Sequence, residues 1–175
     1  MFFHMNTKKN IFLTGAPSSG KTTVIKKVIE NLDHPTNGFY TEEERVNGKR
    51  VGFLMKTLDG GRGYLAHQEI KSDFHIRRYG VSIENIENIA VPSITPIKSN
   101  IIILDEIGKM ELFSKKFQEF IKKQFQLDIS IVATIGQKIQ HPVKNFILKI
   151  SKVNLFNLNR QNQQKVFQEI ISLDN

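Results

Sequence analysis

The chain has 175 residues, 39% of them hydrophobic, no cysteine, and 25 lysines and arginines against 17 acidic residues for a net charge of +8. That length fits one domain over residues 1–175 with a sizeable core, and no apolar run is long enough to span a bilayer. The lack of cysteine excludes disulfides, thiolate metal sites and thiol nucleophiles; with no apolar core of signal-peptide length in Met1-Phe2-Phe3-His4-Met5, a cytoplasmic location is expected.

The first predicted element is a strand, the apolar run Asn10-Ile11-Phe12-Leu13-Thr14. It leads straight into Gly15-Ala16-Pro17-Ser18-Ser19-Gly20-Lys21-Thr22, which matches the phosphate-cradling P-loop at every defined position. Apolar residues at helical spacing follow, in Val24, Ile25, Val28 and Ile29. Strand, glycine loop and helix is the context the motif needs. The glycines let successive N–H groups face one point, the helix N-terminus adds positive potential, Lys21 can reach the outer phosphates, and Thr22 can ligate magnesium. Residues Gly15, Ala16, Pro17, Ser18, Ser19, Gly20, Lys21, Thr22 and Thr23 are therefore the candidate nucleotide-binding set, with a nucleoside triphosphate as expected ligand and Lys21 as a candidate catalytic group.

Between about residues 38 and 79 hairpins interrupt the alternation of strand and helix. Gly38-Phe39-Tyr40-Thr41 reads as a strand, Asn47-Gly48 as a tight turn, Val51 to Met55 as its return, Asp59-Gly60-Gly61 as another turn before Tyr64-Leu65-Ala66, and Phe74-His75-Ile76 as a short strand. Ser82 is placed to cap a short helix through Ile83, Ile86 and Ile89, and Pro92 and Pro96 mark the connection onward. Arg45 and Arg50 in the hairpin either contact phosphate or base or only charge a sheet edge; Lys49 suits the edge reading.

Ser99-Asn100-Ile101-Ile102-Ile103-Leu104-Asp105-Glu106 is a continuous apolar run ending in two acids, as expected of a strand buried on both faces of a parallel sheet. Asp105 is assigned to magnesium, and Glu106, pointing differently, to the base that orients or deprotonates an attacking water. Ser114 then caps a helix carrying Phe117, Phe120, Ile121 and Phe125, an aromatic stripe that suits the core. Asp128 to Thr134 reads as a strand, with Thr134 either a sensor of the terminal phosphate or a simple polar end. Pro142 opens a helix, and Val153-Asn154-Leu155-Phe156 is a last strand that reaches the terminal helix through a polar loop from Asn157 to Lys165.

The positive charge lies in scattered pairs, Lys8-Lys9, Lys26-Lys27, Lys49-Arg50, Arg77-Arg78, Lys115-Lys116 and Lys122-Lys123, mostly on predicted helix surfaces or near turns. Solvated faces account for them better than a nucleic-acid surface, and no helix-turn-helix, zinc-finger spacing or aromatic-basic RNA signature occurs. The histidines at 4, 34, 67, 75 and 141 show no metal-ligand spacing, which leaves Mg2+ accompanying the nucleotide as the expected metal.

Four blocks taken together, Phe12-Leu13-Thr14-Gly15 through Thr23, Gly38 to Glu43 with Arg45, Gly48 to Phe53, and Asp105-Glu106-Ile107-Gly108-Lys109-Met110-Glu111-Leu112, resemble the small P-loop nucleoside-triphosphatase family of the cancer-related and thermophilic type. Similarity runs from about residue 10 to the C-terminal helix and is looser over 68–98 and 135–152. The resemblance implies a RecA-related α/β domain with a mostly parallel sheet, helices on both faces and a hairpin insertion. It also implies Mg2+-dependent hydrolysis of ATP, GTP and other nucleoside triphosphates to diphosphates, with Glu106 orienting water and Thr22 with Asp105 holding the ion. Lys109, in the signature block, would add positive charge near the phosphates or lie on an exposed turn. Where the family usually has Asn-Arg this chain has Asn162-Gln163, and Arg160, three residues earlier, is the candidate replacement. Two other classes share the P-loop: a small nucleoside or nucleotide kinase, for which no acceptor pocket or arginine-rich lid is legible, and a nucleic-acid-linked regulatory ATPase, which would bind DNA or RNA in a salt-dependent way.

Overall fold

Strand order along the sheet is β5-β6-β4-β3-β2-β7-β8-β1-β9. These elements come from a computed structural model that describes residues 10–96, 101–150 and 153–172; Met1 to Met5, Lys8-Lys9, Ser99 and Asn100 lie outside them. β1 (Asn10–Thr14) runs between β8 (Ser130–Ile135) and β9 (Val153–Asn157), and β7 (Ile101–Ile107) between β8 and β2 (Thr36–Val46), all four pairings parallel. Four antiparallel pairings continue the sheet through β3 (Lys49–Thr57), β4 (Arg62–His67), β6 (Tyr79–Val81) and β5 (His75–Ile76). The α/β P-loop architecture read from the sequence is therefore present, with the hairpin insertion as the antiparallel half of one mixed sheet.

β2 belongs to both halves. Thr36 to Phe39 pair with Ile101 to Leu104 of β7, while Phe39 to Val46 pair with β3. The join needs glycine at residue 38, whose φ is 126° and whose missing Cβ would drive into the Ile103 carbonyl. Only Gly38 to Thr41 of this strand stood out in the sequence, because the acidic run Glu42-Glu43-Glu44 carries no apolar alternation. Strand β6 had no signal at all: three residues behind Arg77-Arg78 are too few to show a period.

Helices cover both faces. α1 (Lys21–Asn31) and α6 (Gln163–Ser172) lie on one, where Val24, Ile25, Val28, Val166 and Ile170 pack on Ile11, Leu13 and Ile103. α4 (Lys115–Gln124) and α5 (Pro142–Ile150) lie on the other with α2 (Ile83–Asn85), the π-helical turn Ile86–Ala90 and α3 (Val91–Ser93). Strand alternation divides the two cores, so Phe12, between Ile11 and Leu13, stacks at 5.5 Å on Phe125 of the second. Phe12, Phe117 and Phe125 are fully buried, which stabilises the fold by roughly 1.5–3 kcal/mol each. Ser82 and Ser114 cap as expected, accepting from the N–H groups of Asn85 (3.2 Å) and Phe117 (3.0 Å). No helix among the described residues is long and apolar enough to cross a membrane.

Candidate active site

The carboxyl ends of the parallel strands converge, which is where open α/β sheets bind ligands. Leu13 of β1 pairs with Thr134 of β8 and Leu104 of β7 with Ala133, so the loop after β1 and the acids ending β7 flank Thr134. Between β1 and α1 the P-loop closes with Ser19 N–H donating to the Ala16 carbonyl at 3.1 Å. Gly20 stands at the N-terminus of α1 with φ 93°, and any Cβ there would run into the Gln163 side-chain amide. That amide donates from Nε2 to the Ser19 carbonyl at 2.8 Å, and Leu158 N–H donates to the Thr14 carbonyl at 2.7 Å, so the loop entering α6 clasps the P-loop. Lys21 Nζ donates to the carbonyls of Gly15 (3.2 Å) and Ala16 (3.3 Å).

Asp105 is 2% exposed and fully partnered. Its Oδ2 accepts from Thr22 Oγ1 at 2.7 Å, its Oδ1 from Thr134 Oγ1 at 2.5 Å, and its carbonyl from Thr41 Oγ1 at 3.0 Å. Burial pushes its pKa up, against the pull of the two hydroxyls and the Lys21 charge. Glu106 is also raised, first by burial and then by the Asp105 charge.

A third carboxyl, Glu111, lies beside them. It is 3% exposed, accepts from Gly108 N–H through Oε2 at 3.1 Å, and is held well above its ordinary range by burial and by the Glu106 charge. Gly108 makes the room: a Cβ there would meet Glu111 Oε2 at 2.6 Å and Glu106 Oε1 at 2.8 Å. At pH values between the ordinary pKa and the raised one, the native chain thus holds on Glu111 a proton that the unfolded chain has released. Its contribution to stability is full below the ordinary value of 4.5 and is lost as pH rises through the folded pKa. Glu111→Gln preserves the acceptor for Gly108 and has no proton to lose, so its melting temperature should rise relative to wild type with increasing pH. Thermal melts without metal or nucleotide from about pH 4 to pH 8 check this, and a difference that stays constant contradicts it.

These groups open on a cleft of about 970 Å3, lined by Gly15, Pro17, Ser18, Gly20, Lys21, Thr22 and Thr23 of the P-loop and the start of α1, by Asp105 and Glu106 of β7 with Lys109 after it, and by Arg50 and Phe53 of β3. The remaining candidates divide. Arg45 lines no part of the cleft and is bonded to Glu43 (2.6 Å) and the Gly48 carbonyl (2.9 Å). Arg50 enters it, bonded to Glu43 Oε1 at 2.5 Å and stacked 4.9 Å from the Phe53 centroid. Thr134 is fully buried, so its hydroxyl serves Asp105 rather than a phosphate. Arg160 is exposed and lines no part of the cleft; the residue that reaches the P-loop from that segment is Gln163.

Sequence reasoning gave Glu111 and Gln163 no role, although Glu111 stands in the signature block and Gln163 marks the departure from the family's Asn-Arg. Glu42 belongs to the hairpin block noted in the sequence, but its partners were not legible there: it bridges Lys26 of α1 and Lys56 of β3 (2.5 Å to Lys56), with Lys26 first in holding its pKa down.

Residues 10–171 match the sequence profile of the NTPase family. The chain is similar to a nucleoside-triphosphatase THEP1 of Thermotoga sp. (strain RQ2), 42% identical over 165 residues that cover 93% of this chain and 94% of that one. In three dimensions it resembles the crystal structure of THEP1 from the hyperthermophile Aquifex aeolicus, with a TM-score of 0.84, 33% identity, and coverage of 94% and 98%. The solution structure of a human cancer-related nucleoside triphosphatase gives 0.76 at 31% identity, with coverage of 94% and 96%.

Proposed function

Because the chain belongs to the NTPase family, we propose that it is a Mg2+-dependent hydrolase that cleaves the β–γ anhydride of nucleoside triphosphates, releasing nucleoside diphosphate and phosphate, with broad tolerance of the base. The observation that carries this reading is the convergence of Lys21, Thr22, Asp105 and Glu106 on one cleft, with Thr22 Oγ1 and Asp105 Oδ2 2.7 Å apart. A hydroxyl beside a carboxylate is an oxygen donor set suited to a hard cation, so Thr22 and Asp105 would hold Mg2+. When bound, the ion neutralises charge on the β- and γ-phosphate oxygens.

The protein groups supply the rest. Lys21 exchanges the carbonyls of Gly15 and Ala16 for phosphate oxygens as its acceptors, and the P-loop N–H groups stabilise charge that develops in transfer. Thr134 and Thr41 keep Asp105 in one orientation. Glu106, in the space left by Gly108, orients the attacking water and takes its proton. The loop before Gln163 supports tolerance of the base: Asn159, Arg160 and Gln161 are exposed, and the Asn162 amide is engaged with the Asn157 carbonyl, so these residues offer no enclosed pocket to read a base edge. We take residues 1–175 as one catalytic domain, and the cysteine-free composition favours a cytoplasmic setting.

The test is phosphate release from ATP, GTP, CTP and UTP with Mg2+ and no acceptor. Release should occur with all four, with kcat/KM values within about 100-fold of one another, and stop when the metal is chelated. Release that survives chelation sinks the metal assignment, and tight binding without release sinks the hydrolase reading.

A further inference from the structure

The cleft, about 970 Å3, draws its lining from across the sheet, from the P-loop after β1 to Ile76 of β5. Lys21 and Thr22 define the end that takes the β- and γ-phosphates, so the α-phosphate and nucleoside leave past the start of α1 toward the loop that carries Gln163. No residue of that loop lines the cleft. Sheet order puts β3, β4 and β5 on the far side of β7 from β1 and β9, and the lining of the cleft continues there into an apolar chamber of Phe53, Leu65, Ile76 and Met110, with Arg50 and Glu43 as its polar rim. Apolar walls offer no ligand to the phosphate chain or its metal. Together with a convergent donor and acceptor, however, they are what a small organic molecule needs.

The rim is also preformed. The Arg50 guanidinium is fixed by Glu43 at 2.5 Å and by Tyr79 Oη at 3.2 Å, lies over Phe53 at 4.9 Å, and Tyr79 meets the Phe53 ring edge-on at 5.4 Å. A flat heteroaromatic ring fits such a wall, since its faces meet apolar side chains while its edge finds donors in Arg50 and an acceptor in Glu43.

We propose that this chamber is an acceptor subsite for a hydroxyl-bearing heteroaromatic small molecule, to which the enzyme transfers the terminal phosphoryl group in competition with water. The proposal rests on the nucleotide placement given above. In the transfer the acceptor oxygen forms a bond to the γ-phosphorus, the bond from that phosphorus to the β–γ bridging oxygen breaks, and its electron pair leaves with the nucleoside diphosphate. The hydroxyl proton passes to Glu106, and a phosphate monoester is the second product.

Wild type is incubated with Mg2+ and ATP labelled in its terminal phosphate, against the four ribonucleosides, the four deoxyribonucleosides, pyridoxine and thiamine as probes. The expected result is label in at least one organic monoester. Phe53→Ala should cut that transfer by about 5- to 150-fold, the range for losing one ring-stacking contact, while acceptor-free phosphate release stays within about twofold. Phe53→Leu, which keeps the apolar volume, shows the same loss of transfer with the fold undisturbed. Label that appears only in inorganic phosphate with every probe overturns the subsite and leaves the hydrolase reading intact. Label that appears only in a monoester supports the subsite and overturns hydrolysis as the main reaction.

Discussion

Glu106→Gln should lower kcat by about 10²- to 10⁴-fold, the usual contribution of a positioned general base, while the affinity for Mg2+ and nucleotide stays within about tenfold of wild type. Affinity should be nearly spared because Thr22 and Asp105 keep their 2.7 Å contact and no bond of Glu106 to the P-loop is lost. Gln also fits the space beside Gly108. The pH profile separates a base from a bystander. Burial and the Asp105 charge raise the Glu106 pKa, so in wild type the rate should fall with decreasing pH while the solution is still above the ordinary glutamate value of 4.5. The base is lost by protonation, and the variant should lack this acid limb. Steady-state rates against pH measure both, and an acid limb that persists unchanged in the variant assigns the titration to another group.

Lys21→Ala should be as damaging for a different reason. Its ammonium is a fixed charge at the position where the outer phosphates lie, and loss of one such stabilising group costs about 10²- to 10³-fold in turnover. Unlike Glu106, it serves the ground state as well, so nucleotide affinity falls with kcat. The fold should survive, since Nζ bonds only the carbonyls of Gly15 and Ala16 and removing a partly exposed side chain typically changes stability by about 0.5 kcal/mol or less. The clean readout is thermal stability with and without Mg2+-nucleotide. Wild type at 100 times its Kd gains about 2.7 kcal/mol from the ligand, and the variant should gain almost nothing. Full ligand stabilisation in the variant would remove Lys21 from the phosphate site.

What the sequence made legible was what depends on neighbouring residues. The P-loop, its flanking strand and helix, and the acids ending β7 are contiguous, and their apolar periods are set by burial on both faces of a parallel sheet. The long β2 was hidden because its outer half carries glutamates that serve partners on other elements, Lys26 of α1 and Lys56 and Arg50 of β3. Glu111 reads like any surface acid; it is buried only because Gly108 leaves a space and offers an N–H. Gln163 looked like a lost arginine, and its contact with the P-loop joins residues 144 positions apart, which no spacing rule captures. The acceptor chamber was illegible for the same reason, as Phe53, Leu65 and Ile76 come from three separate strands and Met110 from the turn after β7.

The shared strand β2 acts as a ruler. It leaves β7 at Phe39 and runs on past Asp105 to carry Thr41, Glu42 and Glu43, so the height of the hairpin wall above the phosphates is set by a residue count at about 3.3 Å each. Adding or removing two residues there would raise or lower the wall by about 7 Å with every side chain still facing its partner; a change of one would turn Thr41 and Glu43 away together. Variation at the exposed tip around Asn47-Gly48 costs the site nothing, because it lies past the last graduation that matters.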